Sequence, residues 1–111
     1  MFSLKRTLRI VASIYKCSKR KSMKADGLSS GKRLTITINS SLSEEKQAST
    51  LFHEITHMIF EEHNIQLTDQ QEEAVILAFE SGWCAFAKDE QEQFINIVKA
   101  MGHVDTTSSQ R

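Results

Sequence analysis

Cysteine is scarce in this chain of 111 residues: only Cys17 and Cys84 are present, and neither belongs to a CxxC or CxxxC pair. A secreted disulfide scaffold is therefore not expected, and a reducing, cytoplasmic environment is predicted instead. No apolar run approaches the roughly 20 residues that a membrane-spanning helix needs. The N-terminal segment also lacks the ~7–15 apolar residues of a secretory signal, so we expect it to form part of the fold.

Acidic residues are almost missing from the first third of the chain. Residues 1–33 contain ten lysines and arginines against one acidic residue, Asp26, whereas the remainder contains four basic and thirteen acidic residues. The expected consequence is that the basic strand and loop lie against the acidic helices. The alternative is that residues 16–24 contact a nucleic acid or an acidic partner.

Alternating apolar and polar residues predict two strands, at residues 7–15 and residues 33–39, because half-buried strands expose every second side chain. The basic residues 16–24 and the turn residues that follow, up to Gly31, are expected to form the connecting loop. Tyr15, at the end of the first strand, is expected on the surface. The two strands would pair as a β-ribbon or a small sheet.

Helical periodicity predicts a first helix that begins near a capping box of Ser41 and Glu44 and stops near Asn64. Its core-facing stripe is expected to consist of apolar residues at helical spacing, namely Ala48, Phe52, Ile55 and Ile59. A second helix is predicted over about 70–88. Its cap is expected to be either Thr68 with Gln71 or Asp69 with Glu72.

The second helix is expected to bury Val75, Phe79, Trp83 and Phe86, with Cys84 as a small buried side chain. A short third helix is predicted to end at Gly102. No internal repeat is visible, so a single domain is predicted over residues 1–104, with a mobile tail at residues 105–111. His63 and His103 are expected to be solvated.

Residues 53–57 read His-Glu-Ile-Thr-His, an HExxH motif within the first predicted helix. Residues i and i+4 share a helix face, so the imidazoles of His53 and His57 can converge on one metal ion. Glu54 then lies beside the metal, where its carboxylate can take a proton from an activated water. Imidazole and carboxylate ligands suit zinc, so Zn²⁺ is the predicted cofactor.

A catalytic zinc ion usually has three protein ligands and an open position. The candidates for the third ligand are the nearby acidic residues and histidines: Glu61, Glu62, His63, Asp69, Glu72, Glu73, Glu80 and His103. A loop at residues 64–68 would fold the second helix back against the first, which favours Glu72 and Glu73. Periodicity places Glu72 on the core-facing stripe, where a carboxylate needs a partner such as a metal ion.

The chain resembles small phage and prophage metallopeptidase-like proteins related to the ImmA/IrrE group in three segments. These are Leu-Thr-Ile-Thr-Ile-Asn, Leu-Phe-His-Glu-Ile-Thr-His and Glu-Glu-Ala-Val-Ile-Leu-Ala-Phe-Glu-Ser-Gly-Trp, within residues 33–90. The resemblance implies a minimal zincin-like α+β domain of the gluzincin type, in which a small sheet precedes the HExxH helix and one or two further helices. It also implies that His53 and His57 are metal ligands, Glu54 the general base and Glu73 the third ligand. Glu73 is therefore preferred to Glu72.

The predicted function is zinc-dependent hydrolysis of peptide bonds in a specific polypeptide, and the resemblance implies a regulatory protein as the substrate. One alternative is a non-catalytic zinc-binding module that contacts nucleic acid through residues 16–24. Another is a plain α+β interaction domain whose histidines bind nothing. The presence of Glu54 favours the enzyme, because a purely structural zinc site has no need of an acid at that position.

Overall fold

The computed structural model describes residues 1–106, and the side chains of residues 1–102, as a four-stranded sheet followed by three helices. The elements are β1 (Thr7–Ile10), β2 (Ser13–Arg20), β3 (Gly27–Ser30), β4 (Thr35–Asn39), α1 (Glu44–Glu62), α2 (Asp69–Asp89) and α3 (Gln91–Thr106). The predicted α+β class is confirmed. No helix in this described part of the chain is long and apolar enough to cross a membrane.

The sheet has the strand order β1-β2-β4-β3. β1 pairs antiparallel with β2, β2 pairs parallel with β4, and β3 pairs antiparallel with β4. β3 is therefore an edge strand, and the register places Leu28 opposite Thr37 and Ser29 opposite Ile36. One side of β3 is bonded to β4, and its other side has no strand neighbour among the residues that the structure describes.

The prediction of a single strand at residues 7–15 is wrong. The chain turns at Val11, which has a φ of 55°, and therefore forms two strands. Most of the predicted basic loop at residues 16–24 is instead the second half of β2. This strand can carry lysine and arginine because its alternate side chains face solvent. The residues predicted as a turn before Gly31 form β3, which pairs with β4. The sequence of β3 does not alternate between apolar and polar residues, so it does not predict a strand by itself.

The core lies between the sheet and α1. Its buried members are Ile10, Tyr15, Ile36, Ile38 and Met58. The expectation that Tyr15 lies on the surface is wrong, since its side chain is fully buried. Its hydroxyl donates a hydrogen bond of 2.9 Å to Glu62 Oε2. Burial, together with this bond and the negative charge of Glu62, raises the pKa of Tyr15 to about 12.

Helix α1 begins at Glu44, close to the predicted start, but the capping residue is Ser43 rather than Ser41, and its Oγ accepts a bond of 3.2 Å from the Lys46 amide. The predicted core stripe is also rotated. Ala48 and Ile59 are exposed. The buried face instead includes the polar residues Gln47, Thr50 and Glu54, together with Met58. This spacing of three or four residues marks the helix face that contacts the sheet.

Helix α2 begins at the predicted capping box, in which the Thr68 and Gln71 side chains each accept a bond of 3.1 Å from the other residue's backbone amide. The chain divides into two compact units, Met1–Glu80 and Ser81–Arg111. The first unit contains the sheet, α1 and the start of α2. The prediction that a single domain spans residues 1–104 stays a prediction.

The predicted buried stripe of α2 is largely wrong, because Phe79 is 41% exposed and Trp83 is 50% exposed. Ile76 is the residue that α2 buries fully. Within the second unit, the Trp83 ring packs edge-on against Phe86 at 5.9 Å between centroids. Cys84 is half-buried.

Helix α3 continues to Thr106, four residues beyond its predicted end at Gly102. A glycine ends a helix only where the chain adopts a left-handed conformation, and no glycine has a positive φ in the part of the chain that the structure describes. The side chain of His103 and the remainder of the predicted tail, residues 107–111, lie outside the described residues.

Candidate metal centre

His53 and His57 lie one turn apart on α1, with their ring centroids separated by 4.9 Å. Their Nε2 atoms both approach Glu73 Oε1, at 3.3 Å for His53 and 2.7 Å for His57. The helix fixes this convergence, because side chains four residues apart share one face. The two rings therefore present nitrogen atoms to the same point in space.

Glu73 reaches that point from the second turn of α2, which the chain brings back beside α1. The ligand atoms of His53, His57 and Glu73 all lie within 4.8 Å of one another, so these residues could hold a metal ion. Ligands about 2.0–2.2 Å from a tetrahedral zinc ion lie roughly 3.4 Å apart. The contact of His53 with Glu73, at 3.3 Å, is close to that separation, and the contact of His57, at 2.7 Å, has the length of a hydrogen bond. Two imidazoles and a carboxylate within this range are a donor set that can close around such an ion.

The Nδ1 atoms of the two rings face two further carboxylates. His57 Nδ1 lies 2.5 Å from Glu72 Oε2, and His53 Nδ1 lies 3.2 Å from Glu80 Oε1. A proton on Nδ1, donated to a carboxylate, leaves the Nε2 lone pair free for a metal. Glu72, the alternative third ligand, thus contacts the side of His57 that faces away from Glu73.

Three of the remaining candidates for the third ligand, all near the end of α1, have other environments. Glu62 accepts the hydrogen bond from Tyr15, and the Nδ1 of the exposed His63 lies 3.0 Å from the carbonyl oxygen of Ile59. Glu61 lines the cleft described below. None of these three belongs to the convergent group found within the described part of the chain.

The pKa of His57 is raised above its usual value. Burial of the ring opposes protonation and would lower this pKa. The hydrogen bonds with Glu72 and Glu73, together with the negative charge of Glu54, outweigh that effect. In the absence of a metal ion, a proton on His57 is therefore favoured by the same carboxylates that surround the site.

Glu54 lies on the sheet-facing side of α1 and is 9% exposed. The Ser29 hydroxyl, on the edge strand β3, donates a hydrogen bond of 2.5 Å to Glu54 Oε1. Ser29 was not among the residues expected at the site, since its segment was expected to be a turn and nothing in its local sequence indicates this contact. Glu80 was among the candidates for the third ligand. The spacing of seven residues from Glu73 puts both on one face of α2.

Two open clefts meet at Glu54. The larger, about 530 Å³, is lined by one side of β3, by α1 and by the loop between α1 and α2. Its lining residues are Gly27, Leu28, Ser29, Glu54, His57, Met58, Glu61, Asn64, Ile65, Gln66, Leu67 and Glu72. The smaller, about 280 Å³, reaches His53 and Glu80 from the other side. The convergent group is thus accessible from solvent beside the sheet edge.

A family model described as the IrrE N-terminal-like domain, a peptidase family, matches residues 14–102. Comparison with curated proteins and with solved structures gives no match. The family match covers most of the chain and includes β2 from its second residue, β3, β4 and all the residues of the convergent group. It confirms the resemblance to the ImmA/IrrE group and agrees with a small zincin-like domain. The chain therefore belongs to the IrrE N-terminal-like peptidase family.

Proposed function

We propose that this chain is a zinc-dependent metallopeptidase that hydrolyses peptide bonds in a specific protein substrate. The observation that carries this proposal is the convergence of the His53 and His57 Nε2 atoms on Glu73, with a buried Glu54 next to them. Two imidazoles and one carboxylate form a donor set that suits zinc and leaves a coordination position open. Membership of a peptidase family supports the same reaction class.

His53 and His57 would hold the ion through Nε2, and Glu73 through its carboxylate. When bound, zinc supplies Lewis acidity, which lowers the pKa of water from 15.7 toward ~7 and polarises a carbonyl group. Glu72 and Glu80 orient the two rings by accepting hydrogen bonds from their Nδ1 atoms. Ligand histidines commonly have such a partner, which fixes the tautomer and the ring orientation.

Glu54 acts as the general base in this proposal. Its Oε1 accepts the hydrogen bond from Ser29, which holds the carboxylate in one orientation. The other oxygen, Oε2, is then the atom that takes the proton from water and later delivers it to the leaving amine. Burial of Glu54 against the sheet restricts its side chain, and a base held in one position is a more effective catalyst.

The substrate would be an extended polypeptide. The larger cleft runs along β3, whose outer side has no strand neighbour in the sheet. An exposed edge can bind a peptide as an additional strand, with affinity from backbone hydrogen bonds and specificity from alternate side chains. Leu28, which is 55% exposed, supplies apolar contact area at this edge.

Metal content and cleavage measured on one set of variants test the proposal. Elemental analysis of the wild-type protein should give one zinc ion per chain, and a chelator should abolish cleavage in a peptide-library screen. Glu54→Gln should keep the zinc and lose cleavage, whereas His53→Ala should lose both. Glu45→Gln, the same change at an exposed position of α1, is the matched control.

Each outcome distinguishes one alternative. Zinc retained by His53→Ala would contradict the ligand assignment. Unchanged cleavage by Glu54→Gln would remove the proposed base. A wild-type protein that binds zinc stoichiometrically but cleaves no peptide would instead be a non-catalytic zinc module.

A further inference from the structure

Three exposed cations lie on the face of the sheet opposite α1. Side chains alternate along β2, and Tyr15 and Cys17 face the core, so Lys16 and Arg20 face the other way. The register places Arg9 of β1 opposite Ile14, diagonal to Lys16 on the same face. Arg9, Lys16 and Arg20 are all exposed. These three residues are called the basic face below.

Helix α1 does not neutralise the basic face, because it packs on the opposite side of the sheet, against Ile36 and Ile38. For these three residues, the expectation that the basic segment lies against this acidic helix is wrong. Among the residues whose side chains are described, the basic face takes part in no ion pair.

Lys19 provides an internal contrast on the same strand. Its side chain points to the core side, where Nζ donates a bond of 2.6 Å to the Phe2 carbonyl and lies 5.4 Å from the centre of the Phe2 ring. Lys19 is therefore occupied by the fold itself. Its neighbours on the basic face have no such role in packing, and their charge is available to a partner.

The side chains around the basic face favour phosphate groups as its ligand. The same face of the sheet carries the hydroxyls of Thr7, Ser18, Thr35 and Thr37. Arginine, lysine, serine and threonine are the side chains that most often contact nucleic-acid backbones. An acidic side chain would repel the backbone, and the strand positions on this face contain none.

The same composition argues against other polyanions. Single-stranded nucleic acids stack their bases on aromatic side chains, and none occupies a strand position on this face. Stable binding at a membrane surface usually combines cations with apolar side chains that insert into the lipid. Here the exposed apolar residues are Ile14 and Leu28, on different strands. A rigid, regularly charged duplex fits this surface better than either.

We propose that the basic face binds the phosphate backbone of double-stranded DNA without reading its sequence. Lys16 and Arg20 are four residues apart on β2, about 13 Å at the usual rise of a strand. That distance corresponds to roughly four base-pair steps of B-DNA at 3.4 Å each. The proposal is independent of the metal centre, which lies on the other side of the sheet.

Fluorescence anisotropy with a labelled duplex of about 20 base pairs tests this proposal over a range of salt concentrations. The slope of log K against log salt is negative, and each lost phosphate contact reduces its size by about 0.9. Lys16→Gln with Arg20→Gln should therefore reduce the slope by about 1.8, and adding Arg9→Gln should reduce it by a further 0.9 or so. The matched control is Lys88→Gln with Lys99→Gln, which removes the same charge from α2 and α3.

The control should bind with the wild-type slope, and circular dichroism should show that all the proteins are folded. Equal losses in the control and the face variant would overturn the proposal, because they would show a net-charge effect without a defined surface. So would wild-type protein that fails to bind the duplex at 50 mM salt. Binding to phosphatidylserine vesicles but not to the duplex would assign the surface to membranes instead.

Discussion

Glu72 should control the metal affinity of the site although it faces away from the proposed ion. Its Oε2 lies 2.5 Å from His57 Nδ1, so the Glu72→Gln variant replaces a charged acceptor by a neutral amide. Changes to such partners of ligand histidines typically cost 10–100-fold in affinity, which is about 1.4–2.7 kcal/mol. The shortness of this contact places the expected loss near the upper end. At Glu80, 3.2 Å from His53, the same change should cost less.

Competition with a chromophoric zinc chelator at pH 7 would measure these affinities. Glu61→Gln is the appropriate control. Glu61 lines the larger cleft, as Glu72 does, but it lies outside the convergent group. It should bind zinc within about twofold of the wild-type protein. Glu73→Gln, which removes a proposed ligand, should lose more affinity than Glu72→Gln.

Two results would refute this reasoning. If Glu72→Gln bound zinc as tightly as the wild-type protein, the hydrogen bond with His57 would not orient the ring. If Glu72→Gln lost as much affinity as His57→Ala while Glu73→Gln lost little, Glu72 would be the ligand. The structure gives no basis for that second outcome, since Glu73 is the carboxylate that approaches both Nε2 atoms.

Three further predictions concern stability and pH. Ile38→Ala should lower the free energy of unfolding by about 2–5 kcal/mol in urea titrations, because the side chain is fully buried. Gly27→Ala should cost about 1–3 kcal/mol, since the new Cβ would lie 2.7 Å from Thr50 Cγ2. Burial lowers the pKa of His57, but hydrogen bonds raise it overall. Protonated His57 should therefore stabilise the folded, metal-free protein. This contribution should be fully present below pH ~6.5 and be lost as the pH rises through the raised pKa. Thermal unfolding at several pH values would measure this loss of stability, which should be smaller in Glu72→Gln than in the wild-type protein.

The HExxH motif could be interpreted from the sequence because its geometry is local. A helix places residues i and i+4 on one face whatever surrounds it, so the proximity of His53 and His57 required only that the segment be helical. Glu73 came from the family resemblance. Periodicity alone favoured Glu72, because the predicted apolar stripe of α2 does not match the face that the helix buries.

The sheet was harder to predict because its pairing is non-local. β3 has no apolar alternation of its own, and its place beside β4 brings Ser29 to a glutamate 25 residues away. β2 carries lysine and arginine at alternate positions, which resembles a loop unless its partners are known. Tyr15 was misplaced for the same reason, since its burial depends on α1 lying across the strand.

The rotated stripe of α1 has a different cause. A helix that only filled a core would bury apolar residues, whereas α1 buries Gln47, Thr50 and Glu54 in addition to the apolar Met58. A departure from apolar patterning is expected where function requires a polar group. Here the buried polar face includes Glu54, the proposed base.

The short edge strand β3 links this polar face to the surface where a substrate would lie. Gly27 lets the strand approach α1 closely, as a Cβ there would also come within 3.3 Å of Glu54 Cγ. Two residues later, Ser29 donates its hydrogen bond to the same carboxylate. Any shift of β3 away from α1 must therefore loosen Glu54, even though His53 and His57 would keep their places on the helix. Metal affinity and the position of the base thus depend on different contacts, the first between α1 and α2 and the second between α1 and β3. A substitution in β3 should accordingly reduce cleavage more than zinc binding.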